Sequence, residues 1–458
     1  MAVVQRDRVK MNEQDAHARR NNFNEVNQGL TSAQALLEAE RCLDCKNPRC
    51  VSGCPVNVNI PKFINYIKEG DLDKAYETIT ATNNLPAVCG RVCPQEEQCE
   101  KLCVRGPKLG GAVAIGYLER FVADYALNKE KQKAVIPKCG RKVAVVGSGP
   151  AGLTCAADCA LNGMDVTVYE AFHKAGGVLI YGIPEFRLPK AIVQKEIDNL
   201  KALGVKIRLN TVIGKTISVD ELLDEYDAVF LGTGAGLPQF LNIPGENLNG
   251  VSSANEYLTR INLMKAYDDK AVTPVFTGKN VVVVGAGNVA MDAARTALRM
   301  GADEVTIVYR RSRAEMPARA EEIVHAEHEG IKLKLLTAPL EILGDKKVEG
   351  MRCQAMKLGE PDQSGRRRPV PIDGDVFEIP CDQVIMAIGT SPNPLIRKSC
   401  PELEVTKWGT VVVNEQTYET SIDNVYAGGD AVTGAATVIL AMGAGKIAAK
   451  AIKEKLDC

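Results

Sequence analysis

The sequence contains no apolar run approaching the ~18 residues of a membrane-spanning helix, so no transmembrane helix is predicted. The N-terminal stretch 1–20 is polar and lacks the apolar centre of a signal peptide. There is also no excess of charge, because 56 basic and 57 acidic residues leave a net charge of -1. Bulk charge therefore favours neither a nucleic-acid nor a membrane partner. Because neither a membrane span nor a signal peptide is predicted, we expect a cytoplasmic protein.

The chain has 458 residues, a length typical of about three domains. Hydrophobic residues make up 45% and charged residues 25%, the ordinary composition of a soluble globular protein. Little β signal precedes residue 137, and short helices are predicted at 35–39, 61–69 and 72–79. In a cytoplasmic protein the 15 cysteines do not predict a disulfide framework, so their spacing carries more information than their number.

Eight of the cysteines form two groups within this helical region. The first reads CxxCx4Cx3CP over residues 42–55, and the second reads CxxxCPx4Cx3C over residues 89–103. Three close thiolates and a remote fourth suit the four corners of a cubane cluster, so the spacing predicts two [4Fe–4S] clusters. Zinc is the alternative, but zinc sites usually combine two CxxC pairs and only one is found here. The remaining interpretation is that these eight cysteines bind no metal.

A strand–turn–helix–strand pattern over residues 142–170 organises the rest of the chain. Its turn has the pattern GxGxxG and comprises Gly147, Gly149, Pro150, Ala151 and Gly152. Glycines permit the turn and the approach of a pyrophosphate to the helix N-terminus. Glu170 follows the second strand, where it is placed to accept hydrogen bonds from a ribose diol. The pattern predicts a dinucleotide site for FAD; the alternative is a glycine-rich turn in an unrelated α/β unit.

The same pattern returns over residues 280–311, shifted by 138 positions. Its turn comprises Gly285, Gly287, Asn288, Val289 and Ala290. In place of an acid, the second strand ends at Arg310 and Arg311, and arginine binds a 2′-phosphate that an acid would repel. The second site is therefore predicted to prefer NADPH over NADH, unless the two arginines are only a solvated pair.

The C-terminal part returns to the first site. Gly177 lies in a Gly-Gly pair after Glu170, and Gly429 and Asp430 end a predicted strand. A helix carrying Thr437 follows, and its N-terminus would stabilise negative charge on a flavin. The alternative interpretation is that Asp430 simply caps this helix, and the two are compatible. The fold class is α/β: two Rossmann-like domains follow a helical iron–sulfur domain (1–136), with the NADPH domain (246–392) inserted between two parts of the FAD domain (137–245 and 393–458).

Several longer motifs carry a resemblance that covers nearly the whole chain. They are CxxCx4Cx3CP at 42–55, CGRVCP at 89–94, GSGPAGL at 147–153, YGIPEFRLPK at 181–190, GAGNVAMDAAR at 285–295, YRRSRAEMPA at 309–318 and YAGGD at 426–430. With these motifs the chain resembles the small-subunit family of NADPH-dependent glutamate synthase. That family includes the large subunit of NADH-dependent ferredoxin:NADP+ oxidoreductase, and the motifs do not separate its members.

The resemblance implies a set of ligands for each cluster. One cluster would be held by Cys42, Cys45, Cys50 and Cys103, and the other by Cys54, Cys93, Cys99 and Glu119. Cys89 is the substitute should Glu119 not be a ligand. Arg187 is assigned a place beside the flavin ring, where it would stabilise the reduced anion. The remaining cysteines are interpreted as ordinary thiols: Cys139, Cys155, Cys159, Cys353, Cys381, Cys400 and Cys458.

The resemblance also implies a function. Hydride would pass between NADP(H) and FAD, and single electrons would continue through two [4Fe–4S] clusters to a protein partner. The partner is expected to be the large subunit of glutamate synthase. The first alternative is a bifurcating complex with a small ferredoxin-reductase-like flavoprotein and ferredoxin, and the second is an electron-transfer adaptor in a larger complex. The chain has no synthase or glutaminase domain, so it is not expected to make glutamate by itself.

Overall fold

The computed structural model of the protein describes residues 7–106, 109–127, 129, 136–362 and 365–458. Residues 1–6 and 130–135, which the sequence assigns to the first domain, lie outside the described residues. None of the helices in the described part of the chain combines the length and the apolar character that crossing a bilayer requires.

The region before residue 137 is mainly helical, as its sequence predicts. Two short antiparallel strands, Asn12–Glu13 (β1) and Asn27–Gly29 (β2), are an addition that the sequence did not predict. The helices are Ala16–Arg19 (α1), Ser32–Glu40 (α2), Arg49–Ser52 (α3), Ile60–Glu69 (α4), Leu72–Thr80 (α5), Pro86–Val92 (α6) and Ile115–Leu127 (α7). Thr31 begins α2 because its side chain accepts a hydrogen bond from the backbone N–H of Gln34.

The first dinucleotide unit has the predicted order of strand, helix and strand. Its elements are Lys142–Val146 (β3), Pro150–Leu161 (α8), Asp165–Tyr169 (β4), Val178–Tyr181 (α9), Lys190–Ala202 (α10), Lys206–Arg208 (β5), Val219–Glu225 (α11) and Ala228–Leu231 (β6). The apolar run of β3 is buried over its last four residues, as expected of a central parallel strand.

The second unit repeats this order and adds an antiparallel sheet. Its elements are Leu237–Pro238 (β7), Val251–Ser253 (β8), Ala254–Asn262 (α12), Asn280–Val284 (β9), Asn288–Arg299 (α13), Glu304–Val308 (β10), Ala320–His328 (α14), Lys332–Lys334 (β11), Thr337–Leu343 (β12), Gly350–Pro361 (β13), Arg367–Pro380 (β14), Gln383–Met386 (β15) and Thr390–Ser391 (β16). The three-stranded sheet β12–β14 was not predicted from the sequence.

The C-terminal part contains Leu395–Ser399 (α15), Val425–Ala427 (β17), Asp430–Thr433 (α16) and Val438–Leu456 (α17). The long helix begins at Val438, with Thr437 as its N-cap. The alternative interpretation of Asp430 as the cap of this helix is therefore wrong, because Asp430 is the first residue of the separate short helix α16.

Two parallel five-stranded sheets carry the two dinucleotide units. The first has the order β17-β6-β3-β4-β5 and the second the order β11-β10-β9-β15-β8. Because β17 completes the first sheet after the whole of the second has been formed, the second unit is inserted in the first. The predicted fold class is confirmed. The crossing segments β7 and β16 pair with each other in antiparallel orientation.

The cores follow this layered arrangement. One apolar core on the first sheet continues into the helical region, where Phe63, Val88 and Leu118 are buried. Separate cores cover the other face of this sheet and the two faces of the second sheet. The helical region is therefore packed against the first dinucleotide unit through shared apolar side chains.

The interpretation of Cys139 and Cys458 as ordinary thiols is wrong. The two residues form a disulfide, with their Cα atoms 5.6 Å apart. Cys139 precedes β3 and Cys458 follows α17, the helix that packs along α8. The sequence separation of 319 residues hides this pair from any analysis of spacing, since only the packing of the last helix brings the ends of the unit together.

Candidate cofactor-binding sites

The first glycine turn forms an open cradle at the N-terminus of α8. Gly147 has a φ of +96°, and a Cβ there would come within 2.4 Å of the carbonyl oxygen of Gly232. A Cβ on Gly152 would lie 2.0 Å from the carbonyl oxygen of Gly147. At Gly149, by contrast, a Cβ would meet no described heavy atom within 4 Å. The turn is closed on its protein side and open at Gly149, which fits the approach of a pyrophosphate.

Glu170 lies at the edge of this cradle and is tied to it. One carboxylate oxygen accepts hydrogen bonds from the backbone N–H and the hydroxyl of Ser148, the N–H at 3.1 Å. The other oxygen accepts from the backbone N–H of Phe172 at 2.9 Å. Glu170 is only 5% exposed, so these bonds fix the carboxylate beside the turn. Sequence reasoning missed Ser148, although its place inside the glycine motif was a signal.

Two glycines from distant parts of the chain, Gly177 and Gly429, pack against the same turn. Gly177 has a φ of +53°, and a Cβ there would lie 2.7 Å from Gly149 Cα. Gly429 has a φ of +66°, and a Cβ there would lie 2.9 Å from Ala151 Cβ. Pro150 is the first residue of α8 and is buried with Ala151. The structure thus brings Gly177 and Gly429 against the turn that the sequence assigned to FAD.

Asp430 and Thr437 flank the start of α17. Asp430 accepts a hydrogen bond from the backbone N–H of Ala436 at 3.2 Å, and burial raises the pKa of its carboxyl. Thr437 accepts from the backbone N–H of Leu440 at 3.3 Å and from the Gln98 amide at 3.4 Å. Because Gln98 belongs to the helical region, this contact joins the cysteine-bearing region to the N-terminus of α17.

The second glycine turn repeats the geometry of the first. Gly285 has a φ of +129°, and a Cβ there would lie 2.3 Å from the carbonyl oxygen of Ala387. Around Gly287 the space is open, since a Cβ there would meet only Pro317 Cγ, at 3.9 Å. Of the residues that follow, Ala290 is buried and Val289 is 43% exposed. The side-chain oxygen of Asn288, Oδ1, accepts a hydrogen bond from the backbone N–H of Arg319 at 3.0 Å.

The two arginines at the end of β10 have different surroundings. Arg310 is exposed, and its guanidinium has no ion-pair partner within the described part of the chain. Arg311 is 6% exposed and donates to Asp362 Oδ2 at 2.7 Å and to the carbonyl of Arg367 at 2.9 Å. The structure therefore leaves Arg310 available to an anion, whereas Arg311 is committed to protein groups.

Arg187 connects the two dinucleotide units. Its Nη1 donates to both oxygens of Asp292 at 2.7 Å, and its Nε lies 3.2 Å from Glu322 Oε1. Burial opposes ionisation of Asp292 and raises its pKa to about 6 even beside Arg187. Both carboxylates belong to the second unit, so Arg187 is an interdomain contact; its role beside the flavin stays a prediction. No spacing rule indicates such a pair 105 residues apart.

The cysteines of the first predicted ligand set lie together. Cys42, Cys45, Cys50 and Cys103 line one cavity between α3, α4 and the segment before α7. Burial raises the pKa of Cys42, and it raises that of Cys50 to about 11 with the help of the neighbouring Cys103 and Cys42 sulfurs. Four soft donors facing one cavity fit a cubane cluster, whose iron would displace the thiol protons.

The second predicted set also comes together, around Glu119 of α7. Burial raises the pKa of Cys54 to about 11, and the charges of Glu119 and Cys93 add to this effect. Burial likewise raises the pKa of Cys99, and the neighbouring acidic groups of Glu100, Glu119, Cys93 and Cys54 add to this effect. Three sulfurs and one carboxylate therefore share a single buried site, which is the donor set the resemblance implies.

Glu119 is held in this site by an asparagine that sequence reasoning missed. Asn83 donates to Glu119 Oε1 at 2.6 Å, and its own Oδ1 lies 3.7 Å from Cys89 Sγ. Burial raises the pKa of Glu119 to about 8, against this hydrogen bond. Cys89 is equally buried and also lies 3.5 Å from Met442 Sδ of α17. Both candidates for the fourth ligand therefore lie at this site. Glu119 raises the pKa of Cys54 and of Cys99, whereas Cys89 is not among the main groups that shift either pKa.

Two family models match separate parts of the chain. Residues 19–131 match the family model of the dihydropyrimidine dehydrogenase domain II with a 4Fe-4S cluster. Residues 141–447 match the family model of the pyridine nucleotide-disulphide oxidoreductases. The first match favours iron–sulfur clusters over zinc.

Curated relatives cover almost the whole chain. It is 39% identical to the "Glutamate synthase [NADPH] small chain" of Azospirillum brasilense, over 95% of this chain and 92% of that protein. It is 41% identical to the "NADP(+)-dependent formate dehydrogenase subunit beta" of Moorella thermoacetica, over 89% of this chain but only 60% of that protein. Among solved structures, Mycobacterium tuberculosis FprA in complex with NADPH aligns with a TM-score of 0.59. Its identity of 22% over 69% of this chain and 85% of FprA establishes the fold alone.

Proposed function

Because this chain belongs to the family of NADPH-dependent glutamate synthase small chains, we propose that it is the electron-input subunit of a larger redox complex. Family membership makes it an iron–sulfur flavoprotein oxidoreductase that uses NADP(H) and FAD. The two curated relatives described above are named as a small chain and as a subunit, so this chain acts with a protein partner. The proposal adds the route of the electrons, the residues that hold the cofactors and the identity of the partner.

The route is supported by contacts that connect the second ligand set, through α17, to the FAD unit. Cys89, in contact with this set, touches Met442 of α17, and a Cβ on Gly443 of the same helix would lie 3.1 Å from the carbonyl of Pro55, next to Cys54. The helix α17 also packs directly on α8, which begins at the FAD turn. All four cysteines of the first set are partly exposed, whereas Cys93 and Cys99 of the second set are buried.

FAD converts the two-electron chemistry of a nicotinamide into the one-electron chemistry of iron–sulfur clusters. The residues proposed to hold it are the turn at 147–152 and Glu170, with Gly177, Gly429, Asp430 and Thr437 around them. Gly285, Gly287 and Ala290 would bind the pyrophosphate of NADPH, and Asn288 and Val289 would begin the helix beneath it. Arg310 would bind its 2′-phosphate.

Two clusters are proposed, because each ligand set offers four donors. Cys42, Cys45, Cys50 and Cys103 would hold the outer cluster. The inner cluster would be held by Cys54, Cys93, Cys99 and Glu119, with Cys89 as the substitute fourth ligand. An electron leaving the FAD domain would reach the inner set first and a partner protein through the outer one. The corresponding domains are 1–136, 137–245, 246–392 and 393–458.

For the partner we favour the large subunit of glutamate synthase, since this chain spans 92% of a small chain of that enzyme. A second candidate is a different NADP-dependent complex, because the formate dehydrogenase subunit beta is 41% identical, although this chain spans only 60% of it. No feature of the described residues favours a bifurcating complex with ferredoxin.

An anaerobic pull-down of the tagged chain from its native host tests the partner. A large co-purifying protein with glutaminase and synthase domains is the expected result. A co-purifying formate dehydrogenase, or a flavoprotein of the ferredoxin-reductase type, would replace the first candidate. Anaerobic addition of NADPH to the purified chain separately tests its own activity: flavin absorbance should bleach, and an unbleached flavin would instead support an adaptor role.

A further inference from the structure

Arg311 is held by a hairpin that reaches back to the end of β10. The hairpin consists of β13 and β14, which pair in antiparallel orientation up to Pro361 and Arg367. Arg311 donates at 2.7 Å to Asp362, just beyond β13, and at 2.9 Å to the carbonyl of Arg367, the first residue of β14. Since Arg311 is 6% exposed, these contacts fix Asp362 and Arg367 beside the loop that follows β10.

Asp362 fixes the turn of the hairpin as well. Its backbone N–H donates to the carbonyl of Arg366 at 2.7 Å, and its carboxylate accepts from the N–H of Arg366 at 3.3 Å. Gly365, at a φ of +77°, donates to the carbonyl of Asp362 at 2.9 Å. One acid therefore both closes the turn and neutralises Arg311, so the position of the turn and that of Arg311 are coupled.

The strand that leaves this turn begins with two exposed arginines. Arg367 and Arg368 have no ion-pair partner among the residues that the structure describes. Arg310, one residue before the anchored Arg311, is exposed and equally unpaired in the described chain. Three uncompensated guanidinium groups are thus carried by two segments that Arg311 ties together. Such an arrangement attracts a compact dianion.

We propose that the hairpin supplies part of the 2′-phosphate site, with Arg310 and an arginine of the pair Arg367–Arg368 as its ligands and Arg311 as a positioning residue. Neighbouring residues of a strand point to opposite faces, so one arginine of the pair at most would reach the phosphate. This inference rests on the proposed NADPH site. Under this proposal the preference for NADPH over NADH depends on two segments about 57 residues apart, the loop after β10 and the start of β14. It does not depend on the arginine pair after β10 alone.

Binding of 2′,5′-ADP and 5′-AMP to the intact holoprotein, measured by calorimetry, tests this assignment without redox turnover. Arg367→Ala or Arg368→Ala should weaken 2′,5′-ADP about tenfold or more, as expected for one lost charge-assisted hydrogen bond, and leave 5′-AMP unchanged. Arg352→Ala is the matched control, since this half-exposed arginine of the same sheet pairs with Glu341 and Glu378 and should leave both affinities unchanged.

Asp362→Asn separates positioning from general electrostatics. Removal of a negative charge near the site should strengthen phosphate binding if only the electrostatic potential matters. If the clamp positions the hairpin, the variant should instead weaken 2′,5′-ADP several-fold and spare 5′-AMP. The proposal is overturned if Arg367→Ala and Arg368→Ala both keep the wild-type ratio of the two affinities. A wild-type protein that does not discriminate between the ligands would instead refute the NADPH site itself.

Discussion

Glu329 lies at the centre of a buried ion cluster that fastens the N-terminal segment to the second dinucleotide unit. It is the C-cap residue that follows α14 and is 1% exposed. Its carboxylate accepts from Arg19 Nε at 2.9 Å, Arg295 Nη2 at 2.7 Å and Arg299 Nη1 at 2.6 Å. Burial by itself would raise the pKa of Glu329, but Arg295 and Arg299 outweigh it and lower the pKa to about 2. The carboxylate is thus required in its charged form.

Glu329→Gln should destabilise the protein by about 3 kcal/mol at neutral pH. The difference between a pKa of 4.5 and one of about 2 corresponds to this value, at about 1.36 kcal/mol for each tenfold change in proton binding. It also matches the cost of about 3–5 kcal/mol for removing one partner of a buried ion pair. With an unfolding entropy of about 2.1 cal/mol/K per residue, Tm should fall by about 3 °C if the chain unfolds as one unit.

Thermal unfolding followed by circular dichroism measures this loss, with Glu327→Gln as the control. Glu327 lies on the same helix but pairs with Arg313 at the surface, so its loss should cost less than about 1 kcal/mol. Because the pKa of Glu329 is lowered, its contribution is complete above pH 4.5 and disappears as the pH falls towards 2. The deficit should therefore be equal at pH 8 and pH 6. A Glu329→Gln variant as stable as Glu327→Gln would refute the reasoning.

Three further predictions concern single side chains. Glu119→Ala should alter the EPR spectrum of the reduced protein and Cys89→Ser should not; the reverse outcome would make Cys89 the ligand. Cys458→Ser should cost about 2–4 kcal/mol under oxidising conditions, because the disulfide to Cys139 closes a long loop, and a reductant should abolish the difference from wild type in thermal melts. Arg187→Met leaves the carboxylates it contacts without this partner, so its Tm deficit should be larger at pH 8 than at pH 5.5, and an equal deficit would contradict this account. An unchanged flavin potential in the same variant would remove Arg187 from the flavin site.

Sequence reasoning predicted the structural elements that are specified by residues close together in the chain. The strand–turn–helix units, with Gly147 and Gly285 at their turns, depend on about 30 consecutive residues each. The insertion of one unit in the other followed from the order of the motifs, and the sheet order confirms it. The antiparallel sheet β12–β14 was missed because its strands carry no functional motif. In the second unit this sheet lies between β11 and β15, where the first unit has the helix α11 between β5 and β6.

The sequence by itself determined the cofactor classes and the family, because glycine turns and cysteine spacing are local chemical patterns. Only the tertiary structure decided which of two adjacent arginines stays available, since Arg311 contacts Asp362, 51 positions further along the chain, and Arg310 does not. The same holds for the Cys139–Cys458 disulfide and for the pairing of Arg187 with Asp292. Such contacts depend on how separate units pack, and a pattern read along the chain contains no information about that packing.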